Sequence, residues 1–125
     1  MVLSLDTHVL LWWLSDDATL SETARAAISD GRNLVFVSAA AAWEIVIKGA
    51  LGKIDIPSNL EAALTANRFQ PLPITIPHAL AVADLPRHHN DPFDRLLVAQ
   101  AKVEGFTFVT GDEHIKKYDV SIMEA

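Results

Sequence analysis

The sequence predicts an α/β fold, with a central, mostly parallel β-sheet of four to five strands flanked by helices. Three observations predict it. Short apolar strand segments alternate along the chain with helix-length segments, the order of a parallel sheet covered on both faces. The chain has 125 residues, half of them hydrophobic and 21% charged, enough apolar material for one buried core. No linker, internal repeat or low-complexity tract interrupts it, so residues 1–125 read as a single domain.

The elements follow in order. Residues 2–5 form a buried strand that ends at Asp6, and residues 7–14 form a helix with Leu10, Leu11 and Leu14 on one face. Ser21 caps a helix over 22–29, with Ala24 standing where a full capping box has Glu, and Gly31 suits its end. Residues 34–38 (LVFVS) are a second strand. Ser38 caps the helix AAAAWEIVIKGAL, whose end Gly49 and Gly52 mark. Pro57 and Ser58 open a short helix through Ala66, and FQPLPITI (69–76) is a short extended piece punctuated by Pro71 and Pro73. Pro77 fits the first turn of a helix through Asp84. Asp91 to Glu104 is a long helix closed by Gly105. TFVT (107–110) is a strand, VSI (120–122) is the last one, and EHIKKY between them reads as a helix capped by Asp112.

Composition narrows the function classes. No apolar run approaches the roughly 20 residues that span a bilayer. The longest candidate, VLSLDTHVLLWWL, is broken by Asp6 and His8 and lacks the flanks of a signal peptide, so the expected location is the cytoplasm with no membrane contact. Without cysteine there are no disulfides and no zinc–thiolate sites. The net charge of −6 is the wrong sign for gripping nucleic acid through a basic face, unless a bound metal ion supplies the positive field.

Sites in parallel α/β sheets form at the carboxyl ends of the strands. Asp6 ends the first strand and Asp112 follows TFVT across Gly111; each also reads as a helix cap. Glu44 lies in an apolar helix, either facing solvent as the partner of Lys48 four residues on or lining a cleft; spacing leaves both open. Asp91 before Pro92 has the form of an N-cap, and Asp94 falls at the third helical position, where an acid favours the positive helix end. Capping explains that pair locally but not its company. Four carboxylates converging on one sheet edge would repel one another, and Mg²⁺ or Mn²⁺ relieves such repulsion with oxygen ligands.

Four segments, LDTHVLLWWL (5–14), SAAAAWEIVIKGALGKIDIP (38–57), DPFDRLLVAQA (91–101) and FVTGDEHIKKY (108–118), together resemble the PIN-domain ribonucleases, in particular the VapC-type toxins of toxin–antitoxin pairs. They stand in the family's order and the likeness covers essentially the whole chain. It implies a PIN-like three-layer fold and an Mg²⁺- or Mn²⁺-dependent endoribonuclease. The implied catalytic acids are Asp6, Glu44, Asp94 and Asp112, with Asp6, Asp94 and Asp112 holding the metal; Asp112 matches the position that varies most. Such an enzyme hydrolyses RNA by attack of metal-activated water on a phosphodiester. The implied partners are RNA, a VapB-type antitoxin and a second copy of the chain.

Around these acids, Thr7, Thr110 and Arg95 are expected at the substrate or bracing the site, and Lys48 either reaches phosphate or pairs with the acids. His88 and His89, adjacent in a loop, read as exposed residues that could approach RNA or bind a transition metal, with a catalytic role not expected. Trp12, Trp13 and Trp43 read as core or interface residues. Two alternatives stand beside this reading. A Mg²⁺-dependent phosphatase of small phosphoesters would need a second acid two residues after its nucleophilic aspartate, where His8 stands. A non-catalytic regulatory metal-binding α/β module would use the acids as caps.

Overall fold

The computed structural model describes all of residues 1–125. Five strands form one sheet: β1 (Val2–Leu5), β2 (Leu34–Ser38), β3 (Gln70–Leu72), β4 (Thr107–Thr110) and β5 (Ile122–Glu124). The helices are α1 (Thr7–Leu14), α2 (Glu22–Ser29), α3 (Ala39–Ala50), α4 (Leu60–Ala66), α5 (Ile76–Ala81) and α6 (Pro92–Glu104). The strand order is β3-β2-β1-β4-β5 and every pairing is parallel, in line with the predicted fold class. Leu3, Ser4 and Leu5 of β1 and Phe108, Val109 and Thr110 of β4 are all buried. Successive strand residues point to opposite faces, so both faces of the sheet are covered and the layers number three.

The chain lays down β1, β2 and β3 in one direction and then returns to add β4 on the other side of β1. The switch in direction opens a crevice at the carboxyl ends of β1 and β4. Leu5 pairs with Val109, and the Asp6 N–H donates to the Val109 carbonyl at 3.0 Å. The residues after both strands are thereby held at one edge. α6 packs against α5 and α3, which brings its amino end to the same edge.

Several boundaries differ from expectation for local reasons. The last strand is Ile122–Glu124, not 120–122: Val120 is spent in a turn, its N–H donating to the Tyr118 carbonyl, and β5 enters register with Ile122 opposite Phe108. The helix expected from Pro57 starts at Leu60, capped by Asn59 in the left-handed region (φ 51°). Extended structure over 69–76 shortens to β3 at the sheet edge, where Pro71 and Pro73 cannot donate to a ladder. α5 starts at Ile76 under a Thr75 cap that His78 completes, and residues 82–84 wind as a 3₁₀ turn. The expected helix after Asp112 is a single 3₁₀ turn, Ile115–Lys117. Gly49 is the penultimate residue of α3, which ends between it and Gly52 as expected. A Cβ there would stand 2.1 Å from Ile56 Cγ1, so a larger residue would require the Ile56 side chain to shift.

Candidate metal centre

Each acid reaches the crevice because a strand or helix ends beneath it. Asp6 is the N-cap of α1: its Oδ1 accepts the His8 N–H at 2.9 Å. Its Oδ2 accepts the Thr110 hydroxyl at 2.6 Å, from the end of β4. Burial pushes the Asp6 carboxyl above its ordinary range, against the pull of these two bonds, and the neighbouring Glu44 pushes it further.

Glu44 is 1% exposed. Of the two open readings, the cleft-lining one holds: Glu44 does pair with Lys48, but inside the crevice and not facing solvent. Its Oε1 accepts the Thr7 hydroxyl at 2.6 Å and its Oε2 accepts the Lys48 ammonium. Lys48 also lies 3.6 Å from Asp91 Oδ2. Partial burial works against the Lys48 charge, but the bond to Glu44 and the charges of Glu44, Asp91 and Asp94 outweigh it and raise its pKa.

Asp91 caps α6 as expected. Its Oδ1 accepts the N–H groups of Phe93 at 2.8 Å and Asp94 at 3.3 Å. Its other oxygen faces the cluster. Glu44, Asp91 and Asp94 present carboxylate oxygens within 4.8 Å of one another, as do Asp94, Asp112 and the ring of His89. Asp94 belongs to both sets and is the hub of the site. Burial, then the charges of Asp6, Asp91, Glu44 and Asp112, push its pKa to about 8. Asp112 goes the other way. Burial tends to raise it, but bonds from the His114 N–H, the His89 ring and the Ile115 N–H outweigh that and hold it low.

Of the residues expected at the site, Asp6, Glu44, Asp94 and Asp112 converge, and Thr7 and Thr110 brace two of them. Asp6 is more deeply buried: both its oxygens are engaged and it joins neither close set, though its charge acts on Asp94. Arg95 is not brought to the acids. Its guanidinium is spent on the carbonyls of Val82, Leu85 and Pro86 and on the Tyr118 hydroxyl. Two members lay outside the expectation. Asp91 contributes charge as well as a cap, and His89, read as an exposed loop residue, is half-buried between Asp94 and Asp112. No periodicity marks a loop histidine, so the sequence carried no signal for it.

The donor set fits a hard divalent cation. It consists of carboxylate oxygens, the ligand type of Mg²⁺ and Mn²⁺. Its central member, Asp94, has its pKa raised by burial and then by neighbouring negative charge, and a cation would neutralise that charge.

A solved chain of VapBC2 from Rickettsia felis, bound to a DNA fragment from their promoter, superposes with a TM-score of 0.76 at 16% identity, covering 99% of this chain and 98% of that one. DNA-bound VapBC from Salmonella typhimurium gives 0.72 at 16% identity over 99% and 98%. FitAcB from Neisseria gonorrhoeae gives 0.61 at 22% identity over 98% and 96%. At these identities the likeness is one of fold. No curated protein sequence matches the chain. The sequence model of the PIN domain matches residues 3–121, and with that match across nearly its whole length the chain belongs to the PIN-domain family.

Proposed function

We propose that this PIN domain is a divalent-metal-dependent endoribonuclease that acts as the toxin of a VapBC-type pair. The observation that carries the reading is the convergence of Asp6, Glu44, Asp91 and Asp112 on Asp94; burial first, and then the charges of these neighbours, push its pKa to about 8. A structural cap does not need four charged neighbours, whereas a cation-binding carboxylate does.

In this reading Asp94 and Asp112 would hold Mg²⁺ or Mn²⁺, with Asp6 joining them from the end of β1. Bound there, the cation would supply charge neutralisation for the phosphodiester and lower the pKa of the attacking water. Glu44, held between Thr7 and Lys48, would be the acid that accepts that water's proton. Thr7 and Thr110 fix Glu44 and Asp6, which removes the need to reorganise them during reaction. An antitoxin of VapB type is the proposed partner, supported by fold neighbours solved as VapBC complexes. A second copy is proposed as well, since Trp43, Val46 and Leu51 leave apolar surface on and just beyond α3. RNA is the proposed substrate.

The test is direct. Purified, antitoxin-free protein should cleave RNA with Mg²⁺ or Mn²⁺, stop with a chelator, and lose cleavage on Asp94→Asn while keeping its circular dichroism spectrum. Full cleavage by Asp94→Asn would remove Asp94 from the mechanism. Hydrolysis of small phosphomonoesters in place of RNA would make it a phosphatase.

A further inference from the structure

His89 Nε2 lies 3.1 Å from Asp94 Oδ2 and 3.1 Å from Asp112 Oδ2, so at first sight it completes a mixed nitrogen–oxygen metal site. Its other ring nitrogen excludes that role. Nδ1 accepts the Asp91 N–H at 2.9 Å, so it carries a lone pair and no proton. The proton of the neutral ring is therefore on Nε2. A nitrogen bearing a proton has no lone pair to give a cation; it can only donate, and the oxygen it bonds is Asp112 Oδ2.

We propose that His89 is a positioning residue, whose Nε2–H holds the carboxylate of Asp112 in the orientation that receives a cation and does not itself ligate it. This inference rests on the metal-site reading above. The surroundings show why the ring cannot easily turn over. The His89 N–H donates to the Tyr118 hydroxyl at 3.0 Å, and Arg95 donates to the same oxygen at 3.2 Å. Arg95 also ties down the carbonyls of Val82, Leu85 and Pro86, which fixes the loop that carries His89. The ring of His114 meets that of His89 edge-on, with centroids 5.8 Å apart. Asp112 Oδ1 is separately bound by the His114 N–H at 2.8 Å. With one oxygen held by His114 and the other by His89, Asp112 is gripped at both. Arg95 thus acts on the site at one remove, through the loop rather than through substrate.

Outer hydrogen bonds to metal-binding carboxylates typically alter cation affinity about 10–100-fold when removed. The experiment titrates Mg²⁺ and Mn²⁺ separately into the wild type, His89→Ala and His89→Gln by calorimetry, and records electron spin-echo modulation of bound Mn²⁺. Circular dichroism checks each fold. His89→Ala should weaken both cations by a similar factor in that range. His89→Gln, whose side-chain amide can donate to the same Asp112 oxygen, should recover most of the loss. Bound Mn²⁺ in the wild type should show no directly coordinated nitrogen. A nitrogen signal that vanishes in His89→Ala, with Mn²⁺ weakened far more than Mg²⁺ and no rescue by Gln, would make His89 a ligand and overturn the inference. Equal affinities in wild type and His89→Ala would overturn it too, while leaving the metal site standing. A wild type that binds neither cation would overturn the metal-site reading and this inference with it.

Discussion

Thr110 and Asp6 stand 104 residues apart in the chain and are joined by a 2.6 Å hydrogen bond between two buried side chains. The bond closes the crevice between β1 and β4, and it is one of two bonds that oppose the upward push of burial on the Asp6 carboxyl. Thr110→Val keeps the shape and deletes the donor. Leaving a buried carboxylate oxygen unpartnered costs about 1–3 kcal/mol, and the Asp6 pKa should rise further. Thr110→Ser should restore both stability and cleavage. Equal melting temperatures for the Val and Ser variants would sink this account.

The raised pKa of Asp94 makes a signed prediction for the metal-free protein. Its folded-state value, about 8, lies above the ordinary 3.8, so between those limits the folded state binds a proton that the unfolded state has lost. Stability then falls as pH rises from about 4 to about 8, by up to about 1 kcal/mol per pH unit. Asp94→Asn cannot lose that proton. With chelator present, thermal melts should find the variant more stable than wild type at pH 9, with the gap closing toward pH 4. Added Mn²⁺ should rescue the wild type alone, with proton uptake by the buffer on binding. A wild type that melts identically at both pH values would contradict it.

The legible part of the site was what strand and helix ends dictate. Asp6 and Asp112 follow apolar strands, and a parallel sheet brings such residues to one edge whatever the loops do. Asp91 and Asp94 were legible because Pro92 fixes the helix start between them. Glu44 could be narrowed only to two readings, since its burial depends on α6 packing against α3. His89 and Arg95 were misplaced for a shared reason. Each is set by the 82–90 loop, which is folded by bonds to Tyr118 and to carbonyls that carry no sequence signature. The last strand slipped by two residues because a turn at 118–120, rather than apolar content, decides where pairing begins.

Asp91 and Asp94 should fail differently when replaced. Asp91→Ala removes the cap of α6 and should cost about 1 kcal/mol. Asp91→Ser keeps a capping oxygen for the Phe93 N–H and should recover that stability. It also removes one of the charges raising Asp94, so the cation should compete with a less tightly held proton. Chemical denaturation and cleavage measured side by side check both halves. A Ser variant as inactive as Asp94→Asn would make Asp91 a member of the catalytic set rather than a cap beside it.

Lys48 is the internal cation of the site. It holds Glu44 directly and stands 3.6 Å from Asp91, with 25% of its side chain still exposed. Lys48→Met leaves Glu44 buried without its charge partner. The loss should fall somewhat below the about 3–5 kcal/mol of a fully buried pair, because water still reaches the lysine. If the cost comes from the stranded carboxylate, Lys48→Met with Glu44→Gln should be more stable than Lys48→Met alone, giving a coupling energy in a double-mutant cycle. Urea denaturation of the four proteins measures it. Strictly additive effects would mean that Lys48 stabilises α3 by packing its stem and leaves the Glu44 charge to Thr7 and solvent.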